Sequence, residues 1–318
     1  MPSPLPAATR PYAMLTLVLS ILLLSGCSRE AVYDAMMAHE RKAAGLLDAQ
    51  IEVGDRTMAY LHNEYPVDGP TLVLLHGFAA NKENWLRLSR ELTDHYNVYA
   101  IDLPGHGASD KSLDWDYSIA AQAGYVKGIL DALTLERVHL VGNSMGGAIT
   151  AQFAATYPDR VASATLLDPA GVMTYDSELV ERVKAGDNPL IVEQPGDFEK
   201  LVDFALEQKP FVPWPIYSVM EDRALANRAI YHRIFEQIEN SGYDTAFRDQ
   251  LASIRAPVLI VWGRDDRVID YRNADVFETR IPNARKVILD HVGHAPMIEV
   301  PEQTARLIRH FIEGQPDS

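Results

Sequence analysis

Gly142-Asn143-Ser144-Met145-Gly146-Gly147 follows the apolar run Val138-His139-Leu140-Val141 and precedes Ala148 to Thr156, where small and apolar residues recur at helical spacing. The run reads as a short buried strand and the segment after it as a helix. A serine centred in G-x-S-x-G between strand and helix is a nucleophile elbow. The spelling has a physical reason. The chain must pass from strand to helix within a few residues, which forces the serine into a strained backbone conformation. Side chains two positions to either side would collide, so glycine is required at Gly142 and Gly146. The strain holds the hydroxyl clear of the sheet, above a helix N-terminus that favours developing negative charge.

A serine hydroxyl becomes a nucleophile only with a base to take its proton and a carboxylate to orient that base. With this elbow the chain order is serine, acid, histidine. The C-terminal third supplies both. The strand-like run Pro257-Val258-Leu259-Ile260-Val261-Trp262 ends in Gly263-Arg264-Asp265-Asp266-Arg267. The next, Lys286-Val287-Ile288-Leu289, ends in Asp290-His291-Val292-Gly293-His294. A carboxylate and a histidine thus leave successive strand ends, at the sheet edge where sites of open α/β sheets lie. Upstream, Leu72-Val73-Leu74-Leu75 runs into His76-Gly77-Phe78. An oxyanion hole is expected there, from the backbone N–H of Phe78 paired with that of Met145. The Phe78 side chain is expected to line an acyl pocket, and His76 to brace the loop by hydrogen bonds.

Five separate motifs now agree: His76-Gly77-Phe78, Asp102-Leu103-Pro104-Gly105-His106-Gly107-Ala108-Ser109, the elbow, Trp262-Gly263-Arg264-Asp265-Asp266 and Gly293-His294. In order and spacing they resemble the α/β-hydrolase superfamily, from about residue 50 to the C-terminus. Within it the chain is most similar to bacterial lipase 3-like enzymes and membrane-associated monoacylglycerol lipases. That closer likeness rests on His76 to Lys82, Leu167-Asp168-Pro169-Ala170-Gly171 and Gly293 to Glu299. The resemblance implies Ser144 as nucleophile, His294 as base and Asp266 as orienting acid, four residues after the aromatic Trp262. Asp265 then reads as a solvated or turn-forming carboxylate and His291 as a bystander. Asp168 is the rival acid, because some hydrolases carry theirs after the preceding strand.

Length and charge fit this reading. The chain has 318 residues, 47% of them hydrophobic, ample for one large α/β domain with an insertion. Its net charge of −15 comes with no basic run long enough for a nucleic-acid footprint. Neither H-E-x-x-H nor a lysine-bearing glycine loop occurs, so neither metal nor nucleotide cofactor is expected. Oligomeric state is left open.

Residues 1–26 are different material. Arg10 is followed by the apolar run from Ala13 to Leu24, too short to span a bilayer comfortably, and small residues follow, as in a secretory signal. The run ends in Leu24-Ser25-Gly26-Cys27, and Cys27 is the only cysteine. This resembles the bacterial lipobox. It implies lipidation of Cys27 and a protein anchored in the cell envelope, with Ser28 favouring the outer membrane. Residues 27–50 then form a helical tether in which Val32, Met36, Ala43 and Leu47 share one face, set against the domain or the membrane.

The body begins with a hairpin, Ile51 to Val53 and Thr57 to Leu61 around Gly54-Asp55. Strands then alternate with helices at Leu72–Leu75, Val98–Ile101, Val138–Val141, Ala164–Leu167, Val258–Val261 and Lys286–Leu289. Such alternation implies a mostly parallel sheet covered on both faces. Between Gly171 and Ser253 the strand rhythm stops, and polar helical patterns and prolines take over. The expected organisation is a hydrolase core at 51–171 and 254–318 with a helical cap at 172–253. Some of Phe204, Phe211, Trp214, Ile216 and Tyr217 would line its roof. The function expected is hydrolysis of lipid-like or acylglycerol esters. Two alternatives are a carbon–carbon bond hydrolase of ring-cleavage products, whose members usually carry tryptophan after the catalytic histidine, and a catalytically silent binding protein on the same fold.

Overall fold

The structure is a computed structural model that describes residues 29–212 and 215–314. The lipobox-like segment with Cys27, and Pro213 and Trp214 of the expected cap, lie outside the described residues. Among the described residues there are eight strands: β1 (Leu46–Val53), β2 (Arg56–Asn63), β3 (Thr71–Leu75), β4 (Asn97–Ile101), β5 (Val138–Asn143), β6 (Val161–Leu167), β7 (Val258–Gly263) and β8 (Ala284–Leu289). They form one sheet in the order β1-β2-β4-β3-β5-β6-β7-β8. The β1–β2 and β2–β4 pairs are antiparallel and all the others parallel.

Apolar residues occupy consecutive positions in the central strands because both faces are covered. In β3, Val73 and Leu75 join the cluster on one face and Leu72 and Leu74 the cluster on the other. In β7, Ile260 and Trp262 join the first, while Leu259 and Val261 join the second. This is the period of two that a strand imposes on its side chains, filled with hydrophobes on both sides. The strand order brings the C-terminal ends of β5, β6, β7 and β8 side by side, so residues just beyond Asn143, Leu167, Gly263 and Leu289 share one sheet edge.

Between β6 and β7 the described chain is helical. It holds Glu178–Lys184, Asp197–Ala205, Ile216–Ala226, Arg228–Ile238 and Thr245–Gln250, and together these helices are the cap. Arg228–Ile238 buries Ile230, Tyr231 and Ile234 as one stripe against the main core.

The N-terminal helix (Arg29–Ala43) departs from the expected tether in two respects. It ends earlier, because Gly45 takes a φ of +67° and turns the chain so that Leu46 opens β1. Residues 46–50 therefore belong to the sheet. The inward face is centred on Tyr33, which is buried with Ile216 and Val219 of the cap and joined there by Met36 of the expected stripe, while Leu47 is exposed in β1. The Arg223 guanidinium lies 4.2 Å over the Tyr33 ring. It also pairs with Glu30 at 2.6 Å and Asp34 at 3.3 Å, and Arg29 pairs with Asp222 at 3.0 Å. At the other end Arg41 reaches Glu83 at 2.5 Å, and Glu40 pairs with Arg90. One helix thus bridges the cap and the core. Among the described residues no helix is long and apolar enough to cross a membrane.

Candidate active site

Ser144 sits between β5 and the helix Met145–Thr156 with φ 54° and ψ −117°, a strained conformation for a residue with a side chain. The two glycines flanking it answer to sterics. A Cβ on Gly142 would lie 2.1 Å from the Gly146 carbonyl oxygen, and one on Gly146 would lie 2.1 Å from the Leu75 carbonyl oxygen. The turn is held by the Ser144 N–H donating to Leu167 O at 2.9 Å and the Ala170 N–H donating to Ser144 O at 2.9 Å. The His76-Gly77-Phe78 loop passes directly beside it, since a Cβ on Gly77 would lie 3.2 Å from Ser144 Cβ. That approach brings the Phe78 and Met145 segments to the same side chain.

Beyond β7 and β8, Asp266 and His294 meet. His294 Nδ1 lies 2.8 Å from Asp266 Oδ2, and both residues are buried. Trp262 Nε1 donates to the same oxygen at 3.0 Å, while the N–H groups of Val268 and Ile269 donate to Oδ1 at 2.8 and 3.0 Å. Asp265 points elsewhere: its carboxylate lies 4.0 Å from the exposed His291 ring.

Asp168 is close to the pair. It, Asp266 and His294 each place one polar side-chain atom within 4.8 Å of the others. Asp168 Oδ1 accepts the Gly263 N–H at 2.8 Å, whereas its buried Oδ2 has no hydrogen-bond partner among the described residues. Burial first, then the charge of Asp266, pushes its pKa well above the ordinary carboxylate range. A neutral acid cannot stabilise an imidazolium as a carboxylate does, so geometry and charge favour Asp266 for that task. Asp266 and His294 are thus committed to each other, and Asp168 to the Gly263 N–H.

His76 is buried and its ring is tied at both nitrogens: Nδ1 lies 2.8 Å from Gly77 O, and Nε2 accepts the Leu103 N–H at 3.0 Å. Burial holds it, and the neighbouring His106 still more, below the usual histidine pKa, which keeps both rings neutral. Asp102 gathers Lys82 Nζ at 2.8 Å and the N–H groups of Lys82 and Ala108 at 2.7 and 2.8 Å. It thereby stitches its own loop to the one that carries Phe78.

Two residues escaped the sequence reading. Asn143 Nδ2 donates to His294 O at 3.0 Å and to Leu167 O at 3.2 Å, locking the elbow to the histidine loop. Glu299 accepts the N–H groups of Gly293, Ala295, Glu207 and Gln208 at distances between 2.8 and 3.2 Å, joining that loop to the cap. A lone asparagine within the elbow and a glutamate five positions after the histidine carry no spacing signal; only the fold shows what they hold.

Above the serine, Phe78 packs edge-on against Tyr231 and tilted against Phe235 of the cap, at ring-centroid distances of 5.9 and 5.6 Å. Two apolar cavities border Ser144 beneath the cap, of about 230 Å³ and about 290 Å³.

A mostly parallel sheet, a strained serine at a strand-to-helix elbow, a buried Asp–His pair and an apolar chamber over them define a hydrolase of the α/β class. The chain belongs to the alpha/beta hydrolase fold family, which it matches over residues 70–212 and 224–301. Lipase 3 of Moraxella sp. (strain TA144) is 34% identical over 82% of this chain and 82% of its own length. Monoacylglycerol lipase ABHD6 of Mus musculus is 30% identical over 86% of this chain and 84% of its own. Among solved structures, one described as a membrane phospholipase A, a bacterial virulence factor, is 39% identical, with a TM-score of 0.88 over 95% of this chain and 98% of that one.

Proposed function

We propose that this protein is a serine hydrolase that cleaves carboxylic esters of lipids through an acyl-enzyme. The reading is carried by one observation: the strained elbow serine and His294, whose ring is paired with the buried Asp266, border the same apolar chamber. The relatives add weight, being a lipase, a monoacylglycerol lipase and a membrane phospholipase A.

Ser144 Oγ attacks the ester carbonyl as His294 takes its proton. Asp266, held by four donors, keeps the imidazole oriented and balances its positive charge. The N–H groups of Phe78 and Met145 receive the oxyanion. The imidazolium then protonates the departing alcohol, water enters, and the same cycle releases the carboxylic acid. Ala295, where carbon–carbon bond hydrolases of ring-cleavage products usually carry tryptophan, speaks against that chemistry.

Cys27 is assigned as the site of lipidation, with residues 1–26 removed. The mature protein is then an envelope lipoprotein, and Ser28 directs it to the outer membrane. Residues 172–253 serve as the cap over the site.

The test of the chemistry is labelling by a fluorophosphonate, together with turnover of a p-nitrophenyl ester series. Ser144→Ala is expected to fold normally, resist the label and lose about 10⁴- to 10⁶-fold in turnover. Turnover within tenfold of the parent would sink the assignment.

A further inference from the structure

The two cavities are separate lobes that meet at Ser144. Phe78, Leu190 and Val268 border both and form the waist between them. His294 borders only the first lobe, whose walls include Val192, Leu201, Leu206, Met220 and Met297. Met145 borders only the second, whose walls include Met173, Leu179, Val183, Phe235 and Ile238.

We propose that the site takes esters with a hydrocarbon arm on both the acyl and the alcohol side, the alcohol arm lying in the His294 lobe. This rests on the ester-hydrolase reading above and adds the substrate class. A tetrahedral carbon on Ser144 Oγ sends its acyl chain and its leaving oxygen in different directions. The leaving oxygen must receive its proton from His294, so whatever it carries starts on the His294 side. There the lining is mostly apolar, rich in valine, leucine and methionine, with Asn81, Asn84, Asn143, Tyr217 and Tyr231 as its polar members besides Ser144 and His294. Two of the amides that border it each have one end engaged: Asn81 Oδ1 accepts the Glu83 N–H, and Asn143 Nδ2 donates to two carbonyls. The free hydroxyls of a glycerol leaving group would lose water there for poor replacement. A second hydrocarbon chain would be buried favourably. Each lobe falls near the lower end of the range for small-molecule pockets, roughly 300 Å³, and both together fall well inside it. Diacylglycerols, diacyl phospholipids and esters of fatty alcohols share the required chemistry. A monoacylglycerol fills one lobe only.

The experiment measures kcat/KM of the full chain in mixed micelles on laurate esters of ethanol, butanol and octanol. Monolauroylglycerol, dilauroylglycerol and dilauroylphosphatidylcholine complete the panel and separate the possible sources. From ethyl to octyl laurate kcat/KM is expected to rise at least about tenfold, since each fully buried methylene contributes up to about fourfold. Dilauroylglycerol should exceed monolauroylglycerol. Met220→Trp, which fills the His294 lobe, should abolish the gain with alcohol length and leave the acyl preference unchanged. Val183→Trp should shorten the preferred acyl chain on ethyl esters. A flat or falling response of the wild type to alcohol length overturns the proposal, and so does action of both variants on the same arm. A protein that hydrolyses none of these esters refutes the underlying ester-hydrolase reading instead.

Discussion

Asp266 accepts hydrogen bonds from the Trp262 indole, the Val268 and Ile269 amides and the His294 ring, while its neighbour Asp265 stands beside the exposed His291. Asp266→Asn should therefore cut turnover by about 10⁴-fold, the loss expected when an orienting carboxylate becomes an amide. Asp265→Asn should leave turnover largely intact; steady-state kinetics of the two variants decide between them. If Asp168→Asn is the crippling change instead, the orienting acid leaves β6. Asp168 also makes a separate prediction about stability. Its folded pKa is raised, so the folded chain holds a proton that the unfolded chain releases above about pH 4. Its contribution is complete below that pH and declines as the pH rises toward the folded pKa. Asn keeps the acceptor for the Gly263 N–H and has no proton to lose. The Tm advantage of Asp168→Asn should thus grow between pH 5 and pH 8, and a constant difference in thermal melts would count against a buried neutral acid. At this scale the serine, the histidine and the two competing acids were legible, because strand ends and motif spacing put them at one edge. Asn143 and Glu299 were not, since their partners are backbone groups of loops distant in sequence.

The N-terminal helix shows why elements read less cleanly than motifs. Its residues carry apolar groups at several spacings, so the sequence favours the face with Val32, whereas packing selects Tyr33, the residue that fits between Ile216 and Val219. Tertiary contact overrides a weak periodic signal. The central strands β3 and β7, by contrast, were legible from their apolar runs, because coverage on both faces fills consecutive positions with hydrophobes. The ion pairs of this helix are exposed and each contributes little; Tyr33 is the stronger anchor. Tyr33→Ala should lower stability by about 2 to 4 kcal/mol. It should also speed amide exchange in Ile216–Ala226, with β3 and β5 unchanged. Uniform exchange across the chain would mean that the helix does not brace the cap.

For the whole molecule, the address rests on the apolar run from Ala13 to Leu24 and on the lipobox-like Leu24-Ser25-Gly26-Cys27, residues outside the described ones. Cys27→Ala should leave activity on a soluble ester unchanged and abolish palmitate incorporation and detergent-phase partitioning in a bacterial host. Two acyl chains hold a protein at a membrane where one does so only marginally. A wild type that takes up no label and fractionates as soluble would refute the anchor. The acidity of the chain, −15 overall, means that adhesion to anionic lipid by charge would not compensate. With a lipid on Cys27, the helix that clasps the cap begins two residues later, a reach of roughly 7 Å at full extension. Arg29 in that first turn already grips Asp222 of the cap. The chamber's roof would then ride at the lipid surface, and substrate would arrive by sliding within a plane instead of diffusing through a volume. Turnover would follow the mole fraction of ester among its neighbouring lipids, so diluting the substrate with inert lipid would slow the enzyme while diluting the whole suspension with buffer would not.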